Sequence, residues 1–378
     1  MNGIEPATVC EWMKTGDQVY GAMLAAIQAA RRSVRLETYT FAASAVGERF
    51  RASLLEARGR GVRVQVMIDA LGSWNLGDAF WQALIHAGGE LRWFNPLSSV
   101  RLGIRNHRKL LVCDDEVAFV GGFNIAPEYE GDGIQRGWKD VGLKVVGALA
   151  AELGLTFDRL FLRAGVRQRP IVRLRRAVFQ SSLQTPDAVI LQSGPGLTRN
   201  SIRQVLVRDL RRARSVQIMA AYFLPSWRFR RLLQRLARQG VRVQLLLPGK
   251  SDVRLSQLAS HRVYEALLRA GVEVYEYQPQ ILHAKLLILD DLVFVGSANL
   301  DVRSLRINYE LLLRLKDEKL AGQARSLFME ALQNSRKIDP PSWRTSRSLW
   351  TRFQERWAYF LLVRVDPYFA RRHWRRLW

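Results

Sequence analysis

A chain of 378 residues with 48% hydrophobic and 10% aromatic content is long enough for two ordinary domains with real cores, which excludes the disordered class. Its 58 basic against 34 acidic residues give a net charge of +24, so the expected partner is a polyanion, either nucleic acid or an anionic lipid surface. The two cysteines, Cys10 and Cys113, have no CxxC or Cys/His ligand spacing, which excludes a disulfide framework and a zinc site and fits a reducing, cytosolic setting.

The amino-terminal MNGIEPATVCEWMKTGD has no basic segment followed by an apolar one, and no stretch reaches about 18 uninterrupted apolar residues. Any membrane association is therefore expected to be peripheral. SVRLETYTF (33 to 41) reads as a buried strand, and GERFRASLLEARGRG (47 to 61) as a helix, with apolar spacing near 3.6 and a glycine end. VRVQVMID (62 to 69) is a second strand, and HAGGELRWF (86 to 94) closes a helix with His86 and opens a third strand.

NHRKLLVCDDEVAFVGGFN (106 to 124) follows. His107 and Lys109 stand at i and i+2, so a strand projects both to one face. The apolar run after them packs inward, and a hairpin returns Gly121, Gly122 and Asn124 to the strand end. Small residues there let a ligand approach the backbone, and Asn can donate hydrogen bonds. RAGVRQRPIVRLRRAVFQSSLQTPD (163 to 187), rich in Arg, Gln and Ser, is the expected linker; it places a first domain at 1–166, the linker proper at 167–187 and a second domain at 188–335.

The second domain repeats the first. RSVRLETYTF (32 to 41) recurs as RSVQIMAAYF (214 to 223), GVRVQVMID (61 to 69) as GVRVQLLLP (240 to 248), and HAGGELRWF as LRAGVEVYEY (268 to 277). A constant order at offsets of roughly 180 is a tandem duplication rather than a solenoid period. Strands alternating with helices such as WRFRRLLQRLARQG (227 to 240) predict a mixed α/β layer in each half. LHAKLLILDDLVFVGSAN (282 to 299) is the twin of the earlier motif: His283, Lys285, Asp290, Gly296, Ser297 and Asn299 match His107, Lys109, Asp114, Gly121, Gly122 and Asn124. Two departures stand out, Gly122 where the second copy has Ser297, and a hairpin one residue shorter in the second copy. One such motif alone is usually a surface pair, but two at matching positions predict two imidazoles, two ammonium groups and two amides around one phosphate site, with no metal or other cofactor required. The other histidines, His86, His261 and His373, are expected to be packed or solvated.

The doubled His-x-Lys-x4-Asp with Gly-Ser-x-Asn resembles the phospholipase D superfamily, over the chain up to about residue 335. The resemblance implies two α/β/α sandwich domains with a shared active site, in which one histidine attacks phosphorus and the other protonates the leaving alcohol. It points to His107 as nucleophile and His283 as acid, and the symmetry of the halves leaves the reverse open. Neutral and protonated imidazoles are competent in these two roles, and Lys109, Lys285, Asn124 and Asn299 would meet the phosphoryl oxygens, with Ser297 and Gly122 beside them. An acidic residue beyond the Asn orients the imidazole in the family. Glu310 fits, 27 residues after His283; in the first half Asp140 is the nearest equivalent, 33 residues after His107, with Glu128 as fallback. Asp114 and Asp290 belong to the motif and are expected to hold the hairpins and tune the site.

The tail, 336–378, holds five of the eleven tryptophans from residue 343 onward, with nine Arg against Glu355 and Asp366. Trp343, Trp350 and Trp357 recur every seven residues, with Leu349, Phe353, Phe360 and Leu361 on or near the same helical face. A basic helix with an aromatic stripe is expected to lie in a membrane interface, the alternative being a helix packed over a domain; WAYFLLV is too short to span. With this tail, the two intact motifs and the length, the chain resembles the shorter bacterial cardiolipin synthases. That resemblance implies phosphatidyl transfer from phosphatidylglycerol to a second phosphatidylglycerol hydroxyl, at the cytoplasmic face of an anionic membrane, with no nucleic acid partner. Hydrolysis of phospholipid, or a nuclease using the same site and the positive charge, is the alternative. A non-catalytic membrane scaffold would leave the doubled motif without a purpose. Oligomeric state is left open by the sequence.

Overall fold

β-Branched and leucine-rich runs bounded by turn residues form the strands, and the helices between them bury one apolar face. The computed structural model describes residues 8–96, 103–164, 185, 187–194 and 201–365. In chain order the first unit comprises β1 (Val9–Met13), α1 (Gly16–Ala29), β2 (Ser33–Thr38), α2 (Ala45–Gly59), β3 (Arg63–Asp69), α3 (Gln82–His86), β4 (Glu90–Phe94), β5 (Leu110–Cys113), β6 (Val117–Gly121), β7 (Gly142–Val146) and α4 (Ala148–Ala164). The second comprises β8 (Ala188–Ser193), α5 (Ser201–Leu210), β9 (Ser215–Ala220), α6 (Trp227–Arg238), β10 (Arg242–Pro248), α7 (Arg254–Leu268), β11 (Glu273–Tyr277), β12 (Lys285–Leu289), β13 (Leu292–Gly296), β14 (Glu310–Lys316), α8 (Glu318–Gln333) and β15 (Ser335–Lys337). Helices α9 (Pro340–Thr345) and α10 (Leu349–Phe360) follow.

The sheets share one order: β1-β7-β6-β5-β2-β3-β4 in the first unit and β8-β14-β13-β12-β9-β10-β11 in the second, where β15 adds an edge. β2, β3 and β4 run parallel, as do β9, β10 and β11, while β5–β6–β7 and β12–β13–β14 are antiparallel. The duplication is therefore a duplicated sheet. α1 and α2 cover one face of the first sheet around Tyr20, Phe50 and Val66, and α5, α6 and α7 cover the matching face of the second around Ile202, Leu233 and Val263. α4 and α8 share a single core between the two sheets, with Phe157 and Phe161 from one and Leu327 and Phe328 from the other. Burying both remaining sheet faces in one core fixes the two units against each other. That brings each His-x-Lys segment against the other unit, Asn106 beside Tyr309 and Leu282 beside Lys139.

Of the expected boundaries, the one at 335 falls on described elements and differs. The linker at 167–187 lies outside the described residues apart from Thr185 and Asp187. The second unit runs past 335, because β15 pairs with β11 and Ile338 and Trp343 enter its core. Trp343 is also where the expected tryptophan stripe breaks. Asp339 caps α9 and Ser348 caps a separate α10, so Trp343 is buried, stacked on Tyr264 at 4.9 Å, on a different helix from Trp350 and Trp357. Leu349, Trp350, Phe353, Trp357 and Phe360 of α10 are each about half exposed or more, while Ala358 packs against Leu224 and Ala259. The tail thus divides between the packed and the exposed reading. Among the described residues no helix is long and apolar enough to cross a membrane; His373 lies outside them.

Candidate active site

The two segments that carry the histidines are held by backbone bonds across the units. His107 N–H donates to Tyr309 O at 2.9 Å and Tyr309 N–H to Arg105 O at 2.9 Å, while His283 N–H donates to Lys139 O at 2.7 Å and Lys139 N–H to Ile281 O at 2.9 Å. Tyr309 precedes Glu310 and Lys139 precedes Asp140. Each imidazole consequently meets the other half's carboxylate: His107 Nδ1 lies 3.1 Å from Glu310 Oε2, and His283 Nδ1 lies 2.7 Å from Asp140 Oδ2. Glu310 does not orient His283, nor Asp140 His107, as chain order suggested. Each acid faces the imidazole of the unit opposite to the one expected. Glu128, the fallback, is exposed.

Lys109 and Lys285 sit beside their own histidines. Lys109 Nζ donates to His107 O at 2.7 Å, and Lys285 Nζ lies 2.8 Å from His283 Nδ1 and 3.1 Å from Nε2. Burial dominates the titration of the group. It depresses Lys109 to about 7, with Lys285 adding to the shift, and Lys285 to about 8, opposed by Asp140 and Glu310. Burial also lowers His107, opposed by Glu310, and lowers His283 further, reinforced by Lys285 and Lys109. Asp140 is pushed up to about 7 by the same desolvation. Four basic groups crowded out of water are short of negative charge, a condition that a phosphate diester anion relieves.

Asn124 is fixed in a network: its Oδ1 accepts from Thr40 N–H at 3.1 Å and its Nδ2 donates to Tyr129 Oη at 2.7 Å. Asn299 Oδ1 is buried and has no hydrogen-bond partner among the described residues. Ser297 Oγ donates to Glu310 at 2.5 Å. The departure at Gly122 has a steric cause, since a Cβ there would stand 2.4 Å from both Asp140 carboxylate oxygens. The first unit fills with a carboxylate the space that the second gives to a side chain.

Three aromatic residues escaped sequence reasoning. Tyr129 Oη lies 3.3 Å from His283 Nε2, Trp138 packs 5.4 Å from the same ring, and Tyr39 lies edge-on to His107 at 5.1 Å. All come from the first unit, where Tyr39 and Tyr129 stand opposite Ala221 and Ser304 in the repeat. Having no counterpart in the second half, they leave no trace in the repeat.

Asp114 and Asp290 are not in the site. A strand separates Asp114 from Lys109, about 16 Å at the usual rise, and it accepts from the N–H groups of Arg31, Arg32 and Ser33 at 2.8, 2.7 and 2.8 Å. Asp290 does the same for Arg214 and Ser215, and both take left-handed φ values of 57° and 54° at the hairpin. Neither stands among the reacting residues, as the motif had suggested; each ties its hairpin to the turn before the neighbouring strand. His86 ends α3, and His261 is packed between Tyr264 and Trp343.

The family model described as "Cardiolipin synthase, PLD-like domain" matches residues 23–130 and 206–332. Cardiolipin synthase B of Salmonella typhi is 33% identical over 349 residues, covering 89% of this chain and 84% of its own. Cardiolipin synthase 1 of Bacillus cereus is 31% identical over 362 residues, covering 92% and 69%. Among solved structures, the phosphatidylserine synthase of Haemophilus influenzae superposes with a TM-score of 0.76 at 16% identity over 96% of this chain and 94% of that one. This last likeness is one of fold.

Proposed function

The chain belongs to the phospholipase D-like cardiolipin synthase family, and from that premise we propose that it joins two phosphatidylglycerol molecules into cardiolipin with release of glycerol, on an anionic membrane. One observation carries the reading: two His–Lys pairs converge on one place, each imidazole backed by a carboxylate of the other unit.

His107 is the nucleophile. With Nδ1–H given to Glu310, its Nε2 lone pair has no protein partner among the described residues, and burial favours the neutral ring. Nε2 attacks phosphorus, the phosphorus–oxygen bond to glycerol breaks, and His283, to which the charge of the bound diester restores a proton against the effect of burial, passes its Nε2 proton to the departing oxygen. A second phosphatidylglycerol hydroxyl then gives its proton to His283 and attacks phosphorus, and the phosphorus–nitrogen bond to His107 breaks. Charge on the diester restores protons to Lys109 and Lys285, which balance the equatorial oxygens together with Asn124 and Asn299. Tyr129, on the Nε2 of His283, holds that ring in place until the substrate oxygen replaces it. Burial of the histidines favours the alcohol over water as acceptor. The exposed aromatic face of α10 lies in the headgroup region at the cytoplasmic face of the membrane.

Purified protein incubated with phosphatidylglycerol vesicles, and separately with single- and double-stranded DNA, tests the reading. Cardiolipin and glycerol in equal amounts by mass spectrometry, lost in His107→Ala and in His283→Ala, are expected; DNA cleavage without lipid turnover would sink it.

A further inference from the structure

We propose that the groove between α5 and α6 is a second lipid site, which docks the phosphodiester headgroup of an anionic membrane phospholipid that is not the one undergoing reaction. This rests on the reading of the protein as a phospholipid enzyme. The groove has a volume of about 1150 Å³, and its lining contains nine arginines and a single carboxylate, that of Asp301. Arg228, Arg231, Arg235 and Arg238 follow one another at i, i+3, i+7 and i+10, so α6 turns all four to one face. Arg211 and Arg212 oppose them from the end of α5. These six side chains are exposed, and among the described residues none is paired with an acid, whereas Arg242 and Arg269 close by are matched to Glu273 and Glu265.

Like charges gathered in a concave surface raise its potential and call for an anion, and guanidinium forks fit the paired oxygens of a phosphodiester. Lipid is favoured by what surrounds the charge. Phe229, Leu232 and Leu305 supply apolar lining. Trp227 stands at the start of α6, half exposed, with the guanidinium groups of Arg231 and Arg228 at 4.7 and 5.8 Å from its ring. From α6, Arg230 donates to Tyr359 Oη at 2.9 Å, so α10 with its exposed aromatic residues borders the same helix. Indole and basic groups side by side are the composition of a headgroup-level surface. The lining also includes Asp301 and Val302, two and three residues beyond Asn299 in the chain.

The test is flotation of the full chain with phosphatidylcholine vesicles, with and without phosphatidylglycerol. Arg231→Glu with Arg235→Glu should weaken binding to the phosphatidylglycerol vesicles by about tenfold or more and flatten its salt dependence, because each basic residue near an anionic surface is worth about fivefold. Binding to pure phosphatidylcholine should stay as it was, and so should turnover of detergent-dispersed phosphatidylglycerol. Trp350→Ser with Trp357→Ser should instead weaken binding to both kinds of vesicle. If the charge reversal unfolds the protein by circular dichroism, Arg231→Gln with Arg235→Gln replaces it. Parental binding to phosphatidylglycerol vesicles, an equal loss on both vesicle types, or loss of duplex DNA binding with vesicle binding intact would overturn the proposal. Because flotation needs no turnover, failure to make cardiolipin would strike the proposed function and leave this result readable.

Discussion

The two half-sites carry the same motif on the same strand order, yet they are built of different materials. In the first unit the segment around His107 is gripped by buried charge: Asn106 Nδ2 donates to Glu37 at 2.6 Å, Arg108 lies 3.2 Å from Glu37, and Arg105 lies 3.4 Å from Asp69. In the second, the corresponding positions are Leu282, Ala284, Met219 and Pro248, so no matching ion pairs flank His283, which rests on its backbone bond to Lys139 and on Asp140. The aromatic walls of both histidines, Tyr39, Tyr129 and Trp138, also come from the first unit. A duplicated fold thus tolerates two ways of fixing one imidazole, since orientation needs only a rigid backbone and an acceptor at Nδ1. What separates the two rings chemically is the far nitrogen, open at His107 and facing a hydroxyl at His283.

The largest effect should come from breaking the difference in roles. With a phosphodiester bearing a nitrophenolate leaving group, His283→Asn should still form a covalent adduct on His107, while with an alkyl leaving group it should slow transfer by about 10² to 10⁴. His107→Asn should form no adduct with either. Mass spectrometry of the trapped enzyme decides, and an adduct on residue 283 would reverse the assignment.

The contrast in materials can be broken next. Arg108→Met leaves Glu37 buried without its nearest counter-ion, which should cost about 3–5 kcal/mol in denaturant unfolding. Adding Glu37→Met, so that the first unit copies Met219, should recover most of that loss. A single variant as stable as the parent would show that the charge grip is dispensable.

Gly122→Ser gives the first unit the side chain of the second. Because the added Cβ meets Asp140 at 2.4 Å, the carboxylate must leave His283, and turnover should fall about 10²-fold, as for a reacting group displaced by an ångström. Turnover at the parental rate would mean that Asp140 does not set the ring.

The smallest effect sharpens what the halves share. Lys109 and Lys285, held down to about 7 and 8 by burial, must be protonated to balance a bound diester. Affinity for a soluble phosphodiester of fixed charge should therefore be full below pH 7 and weaken as pH rises through these values, by up to about tenfold per unit for each proton. For the empty protein the sign is opposite: both lysines have folded values below their unfolded ones, so their contribution to stability rises from about pH 7 towards 10.5. Calorimetric titration between pH 6 and 9 checks the first, and a flat affinity would remove the lysines from anion binding.

Much of this was legible in the chain. The repeat offset, the strand and helix periodicities and the doubled His-x-Lys were visible because duplication writes the same local pattern twice. Asp140 and Glu310 were found as acids by position but assigned to the wrong rings, since chain distance along one unit carries no information about which unit's strand lies nearest. The tail stripe read as one face across Trp343, Trp350 and Trp357; the Ser348 cap interrupts it, and Trp343 finds more burial against Tyr264 than an interface would give.

The sequence by itself determined the α/β duplication and the residues able to carry phosphoryl transfer, because side-chain chemistry and strand period are local properties. Tertiary structure alone decided that His107 answers to Glu310 and His283 to Asp140. The shared core of α4 and α8 sets the two sheets side by side, and backbone bonds then run from each histidine segment to the other unit. It also decided why Gly122 departs from its twin, because a close approach between a backbone and a carboxylate exists only once the chain has folded.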